Sequence, residues 1–210
     1  MNGTVMVLDV ETTGLSRRHD ILTTACWHYQ GDWYRWVRGL DDPGQFQEHW
    51  RNSDTLVTFN GRNFDEKFAI KDLGVNPHPR HQDVMYDGWK QGYKGGLKRV
   101  AEARGLPRPP EISGMDGRSA VVLWEHWQAG DHEALELLSA YNAWDVWLTL
   151  GLYRHFVLGL PHESDHGIPW SIRVSTAQRL LGLSPPSGEF PPKFGTKVAA
   201  GVQQDPQGDA

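Results

Sequence analysis

The chain has one cysteine, Cys26, and without a second thiol it can form neither an intrachain disulfide nor a multi-cysteine zinc site. Long apolar runs are missing too. The longest unbroken aliphatic or aromatic stretch is Ala120 to Trp124, far short of the ~20 residues that a membrane-spanning helix needs. The opening Met-Asn-Gly-Thr-Val has no basic region leading into an apolar segment and a cleavage site, so a cytoplasmic address is the expectation. Also absent are a Gly-x-Ser-x-Gly elbow, a Walker loop and a dinucleotide fingerprint, which lowers serine hydrolase, NTPase and dehydrogenase readings. There is no internal repeat and no heptad register. What is present is a globular composition, with 39% hydrophobic and 22% charged residues and a mean hydropathy of -0.55. Its 210 residues suffice for one domain with an extension.

Positive charge is not in excess. Twenty-one Lys and Arg against 26 Asp and Glu give a net charge of -5, which argues against a protein held on nucleic acid by a general basic surface. The distribution is uneven, however. Between residues 90 and 108, Lys90, Lys94, Lys98, Arg99, Arg104 and Arg108 stand against one acid, Glu102. A solvated helix face with a loop explains such a run, unless an acidic site lies beside it.

Thr4 to Val10 is β-branched and apolar, and Asp20 to Gln30 and Trp33 to Arg38 mix β-branched with aromatic residues. With turn-type residues at Gly14 to Ser16 and at Gly31-Asp32, these segments read as three strands, the last two a hairpin. Pro43 opens a short helix to about Trp50, Thr55 to Phe59 reads as a strand, and Asn63 to Leu73 has helical spacing until Gly74 ends it. His81 to Met85 reads as a short fifth strand. Leu97 to Arg104, Ser119 to Gln128 and Asp131 to about Val157 read as helices, with Asp131 as N-cap of the last. Strands first, then a strand alternating with helices, predict a mixed α/β sheet. Residues 156–210 hold seven Pro and seven Gly among 55. The expected organisation is therefore a domain over 1–158 and a partly ordered surface extension over 159–210, with a short helix near Ser171 to Leu181. Most of the ten tryptophans are expected in the core.

Three segments carry chemistry. In Val5-Met6-Val7-Leu8-Asp9-Val10-Glu11-Thr12-Thr13-Gly14-Leu15, strand alternation would project Asp9 and Glu11 side by side. Two crowded carboxylates repel unless a cation sits between them, although a strand may also simply close on polar residues. In Leu56-Val57-Thr58-Phe59-Asn60-Gly61-Arg62-Asn63-Phe64-Asp65, a strand runs through a tight turn into a helix with Asp65 in its first turn, where the helix dipole alone would favour an acid. Asn60 has a sufficient reason as a turn former. In Ala140-Tyr141-Asn142-Ala143-Trp144-Asp145-Val146-Trp147, Tyr141 and Asp145 share a face of a mostly apolar helix. A carboxylate buried there needs a cation or strong donors, and the Tyr141 hydroxyl is one such donor.

Four acids in the order Asp9, Glu11, Asp65 and Asp145 resemble the DEDD exonuclease superfamily, the DnaQ-like branch of the RNase H-like fold, over roughly residues 4 to 155. Tyr141, four residues before the last acid, resembles the DEDDy subtype; the DEDDh subtype would have His where this chain has Ala140. Gly96-Leu97-Lys98, Gly130-Asp131 and Tyr141 to Val146 are most similar to YprB-type RNase H-like domains. The resemblance implies a mixed five-stranded sheet with one antiparallel strand, flanked by helices, and an acidic cleft at the sheet's edge. It also implies a metal-dependent 3′–5′ exonuclease acting on the 3′ end of single-stranded or frayed nucleic acid.

In the family pattern two divalent ions, Mg2+ or Mn2+, share the work of phosphodiester hydrolysis about 4 Å apart. Asp9 would bridge both, Glu11 and Asp145 would complete one, Asp65 would hold the other largely through water, and Tyr141 would orient the attacking water and could accept its proton. A tyrosine of pKa near 10 is a poor base, which leaves activation to the metals. Thr12, Leu15, Asn60, Phe64 and Lys98 are the expected substrate contacts, with Leu15 and Phe64 wedged or stacked against terminal bases and basic residues on phosphates. Leu15 and Phe64 serve equally well as core residues, and Trp89 and Tyr93 as packing. The competing class is a noncatalytic RNase H-like module that binds nucleic acid or protein. Zinc hydrolysis through His162 and His166 lacks a helical context, and a glycosidase reading leaves the pairing of Tyr141 with Asp145 unexplained.

Overall fold

A computed structural model of the chain describes residues 3–160 except 107, 110 and 111. The expected helix near Ser171 and the His162 to His166 segment lie outside the described residues. Five strands and six helices follow one another as β1 (Val5–Thr12), β2 (Leu22–Tyr29), β3 (Asp32–Val37), α1 (Gly44–Asn52), β4 (Thr55–Thr58), α2 (Asp65–Leu73), β5 (His81–Asp83), α3 (Val84–Lys90), α4 (Leu97–Ala103), α5 (Gly117–Gln128) and α6 (His132–Phe156). The sheet order is β3-β2-β1-β4-β5. β2 runs antiparallel to both neighbours, while β1, β4 and β5 pair in parallel, so this is a mixed sheet with one antiparallel strand, the RNase H-like arrangement.

Two apolar layers hold the sheet between helices. Met6, Leu8 and Val10 of β1 face the side where Phe46 and Trp50 of α1 and Phe68 and Leu73 of α2 pack. Val7, one residue out of phase, faces the opposite side, against Leu123 of α5 and Leu138 and Leu148 of α6. Trp27, Trp36, Trp50, Trp124, Trp144 and Trp147 are buried, whereas Trp89 is 44% exposed.

Local chemistry sets the element ends. Gly74 ends α2 in the left-handed conformation (φ 69°), Asp131 caps α6 by accepting from Glu133 N, and Asp116 begins α5 with a reciprocal Ser119 cap. One element was hidden in the sequence. The segment that reads as a strand to Met85 is a strand only to Asp83, because the Asp83 side chain accepts from Met85 N and starts α3 with no intervening loop. No helix among the described residues is long and apolar enough to cross a membrane.

Candidate active site

The same alternation that sends Met6, Leu8 and Val10 to one core sends Asp9 and Glu11 to the other face, that of Val7, at the carboxyl end of the central strand. The ladder to β2 slips between Glu11 and Thr12, ending regular pairing beside the acids. α6 lies across β1 and β2 on this face. On α6, Tyr141, Asn142 and Asp145 are three and four residues apart and buried. Carboxylate oxygens of Asp9, Glu11 and Asp145 thereby come within 4.8 Å of one another.

Asp65 joins from the opposite layer. Its Oδ1 accepts from the backbone N–H of Val10, between the two β1 acids, at 3.0 Å. It adjoins the trio but lies outside the 4.8 Å group. The turn before it is held by Asp83, whose carboxylate accepts from Asn60 N at 2.7 Å and Arg62 N at 3.2 Å. Asn60 sits in the left-handed region (φ 64°), and a Cβ at Gly61 would stand 2.3 Å from Thr58 Oγ1. The Asn-Gly pair is thus required by the turn that delivers Asp65.

Burial and mutual repulsion dominate the electrostatics. Asp9 is pushed well above the usual carboxylate range by desolvation and by Asp65, Asp145 and Glu11, against the pull of its hydrogen bond from Asn142. Glu11 is raised by burial and by Asp145, with Arg108 opposing. Burial lifts Asp65 to about 7, and lifts Asp145 despite the Arg108 guanidinium beside it. Tyr141 rises far above an ordinary phenol through burial and the charges of Asp145 and Glu11, so its hydroxyl stays protonated. Lys98 is lowered by partial burial and by neighbouring Arg108.

Two side chains of this site stand outside the acid motif. Asn142 donates from Nδ2 to Asp9 Oδ2 at 2.6 Å, and its Oδ1 lies 3.4 Å from the Thr24 hydroxyl. Its signal was a fully buried amide in an apolar helix, one residue from Tyr141. Arg108, in the loop after α4, contacts Asp145 through Nη2 and lies 4.7 Å over the Tyr141 ring. It stood in the basic run as one cation among six, and only the folded loop singles it out.

The remaining sequence expectations separate. Lys98 reaches the site, its Nζ 5.7 Å from the Tyr141 ring centroid. Thr12 is buried, with its hydroxyl donating to Gly14 O at 2.6 Å. Leu15 is 86% exposed, in a loop tied down by Asp20 through Ser16 N and the Thr13 hydroxyl. Phe64 is half-buried, packed 5.0 Å from Phe68 on the second core. The Asn60 side chain is exposed while its backbone serves the turn. Tyr93 is a packing residue, 5.3 Å from Phe156.

Comparison with known proteins gives this architecture a lineage. The structure resembles a family B DNA polymerase from the hyperthermophilic archaeon Pyrobaculum calidifontis (TM-score 0.59, 20% identity), covering 74% of this chain but only 24% of the polymerase. It also resembles a nuclease in its apo form (TM-score 0.52, 20% identity), covering 74% of this chain and 73% of that one. At such identities the likeness is one of fold. No curated protein matches the sequence. The model of the RNase_H superfamily matches residues 6–157, most of the chain and every element from β1 to α6, and this chain belongs to that superfamily.

Proposed function

We propose that the protein is a metal-dependent 3′–5′ exonuclease of the DEDDy type, hydrolysing phosphodiester bonds at the 3′ end of single-stranded or frayed nucleic acid. The reading is carried by the convergence of Asp9, Glu11 and Asp145 from the two ends of the domain, with Asp65 beside them. Tyr141 stands one turn before Asp145 on the same helix, as in DEDDy enzymes, and the 96–98 and 130–146 stretches are most similar to YprB-type domains.

The donor set suits hard divalent ions, since every ligand is a carboxylate oxygen and the acids, raised chiefly by burial, gather in one place. Asp9, Glu11 and Asp145 would hold Mg2+ or Mn2+ directly and Asp65 through water. Bound there, a pair of ions supplies Lewis-acid stabilisation of the phosphate and a strong nucleophile near neutral pH.

The protein's own groups supply position and charge. Asn142 holds the Asp9 carboxylate in place. Tyr141, which keeps its proton, donates a hydrogen bond to orient the attacking water and does not act as base. Lys98 and Arg108 offset the repulsion between the acids and a phosphodiester. Leu15, bare at its loop tip, and Phe64, with Thr12 and Asn60 nearby in sequence, receive the terminal nucleotides. The water oxygen bonds to phosphorus as the bond from phosphorus to the 3′ oxygen breaks. A nucleoside 5′-monophosphate leaves, and the shortened strand keeps a 3′-hydroxyl whose proton comes from solvent.

The ion pair of Arg108 with Asp145 favours a second reading, a noncatalytic module in which Arg108 takes the place of a cation at Asp145. Oligonucleotides labelled at the 3′ or the 5′ end, incubated with wild type and Asp145→Asn with and without Mn2+, separate the two. The exonuclease shortens strands stepwise from the 3′ end only with metal and only in the wild type; the module binds them intact.

A further inference from the structure

A buried arginine is set inside an acid cluster, and its donors are only partly used. The Arg108 side chain is 5% exposed, and its Nη2 contacts Asp145 Oδ1. The guanidinium also lies 4.7 Å over the Tyr141 ring, and Nη1 reaches Met115 O at 3.4 Å. Nε is buried and has no hydrogen-bond partner among the described residues. A buried donor left unmade is costly, so a guanidinium in this state is short of an acceptor. Arginine presents its donors as a planar fork that matches the oxygens of a phosphate.

Charge leads to the same place. Asp9, Glu11, Asp65 and Asp145 contribute four negative charges when ionised, and Arg108 and Lys98 return two. One divalent ion closes that balance. A bound phosphodiester adds one further negative charge, which offsets half of a second ion. Arg108 therefore competes with a cation for Asp145 when nucleic acid is absent, and faces a new anion when it is present.

We propose that Arg108 is an exchangeable counter-ion: it pairs with Asp145 in the metal-free protein, yields that carboxylate to a divalent cation, and turns its fork to a non-bridging oxygen of the scissile phosphodiester. The second half rests on the nuclease reading above; the first does not. A residue that only braced the loop after α4 would not have opposite effects on two ligands.

The test uses the full chain and the variants Arg108→Gln and Arg108→Lys, with folding checked by circular dichroism. Mn2+ affinity is measured by calorimetry without nucleic acid, and affinity for a fluorescent single-stranded oligonucleotide by anisotropy in Ca2+. Arg108→Gln should bind Mn2+ about fivefold more tightly than wild type and the oligonucleotide about tenfold more weakly. Arg108→Lys, which keeps the charge without the fork, should bind Mn2+ as wild type does while still losing oligonucleotide affinity. If the glutamine variant does not fold, Arg108→Lys carries the phosphate half of the test and Arg108→Met the Mn2+ half, with the tighter Mn2+ binding expected of Arg108→Gln and unchanged or weaker binding overturning the exchange. Unchanged or weaker Mn2+ binding by folded Arg108→Gln overturns the exchange. Full oligonucleotide affinity in both variants overturns the phosphate role. A wild type that shortens no strand removes the nuclease reading alone, because the Mn2+ comparison still reports the exchange at Asp145.

Discussion

Asp65 differs from its three acidic companions in how its charge is held. It accepts a backbone N–H from Val10, yet burial still lifts it to about 7, above the ~3.9 of an unfolded chain. Between those values the folded protein keeps a proton that the unfolded chain has released. Its contribution to stability is therefore full below pH ~4 and is lost as pH rises through about 7. In chelator, the wild type should lose stability from about pH 4 to about pH 7 more steeply than Asp65→Asn, by at most about 1.4 kcal/mol per pH unit. Excess Mg2+, which favours the ionised cluster, should flatten that loss. Urea unfolding across the pH range reads both effects, and equal slopes in the two proteins would contradict the account of Asp65.

At this scale periodicity pairs some of the acidic and aromatic residues, and the resemblance to the DEDD order is what joins them into one candidate site. Strand alternation pairs Asp9 with Glu11, and helical spacing pairs Tyr141 with Asp145. Arg108 and Asn142 escaped because their roles depend on docking. Which of six cations enters the cluster, and that a buried amide on α6 meets β1, are matters of tertiary packing that no local period encodes.

Among elements, the turn from β4 into α2 is the part most tightly dictated by its sequence. Thr58, Asn60 and Gly61 meet in a space with no room for a Cβ at 61, and Asp83 fastens the same turn from β5. Gly61→Ala should cost about 1–3 kcal/mol through that overlap and move Asp65 away from Val10. Thermal melts should show the loss of stability, and Mn2+ titration a weaker response than in the wild type. A variant that melts and binds as the wild type does would mean that Thr58 yields freely. The strands and the longer helices follow their apolar patterns, and the boundary that was misread, at Asp83, is the place where a side chain belongs to a strand and caps a helix at once.

At the scale of the whole molecule, the described residues form a sheet clad on both faces, and the apolar clusters among them are drawn from residues 5–156. If the segment beyond 160 is the surface extension that its Pro and Gly content leads one to expect, a chain cut after residue 160 should unfold in one cooperative transition close to that of the full chain, with the same rise in melting temperature on adding Mn2+. A large fall in melting temperature would show that the segment beyond completes the core. The fold class was legible because turn residues punctuate the first half and long helical spacing fills the second; strand order was not, since β1 lies beside β2 and β4 at once for reasons of packing alone.

Mounting the site on β1 and α6 has a consequence during synthesis. Asn142 and Asp9 are 133 positions apart, so a polypeptide still emerging from the ribosome exposes the β1 acids long before their partners on α6 have been made. On the nuclease reading, an incomplete copy lacks the α6 groups that complete the acid cluster, so the site is assembled only once α6 has been made.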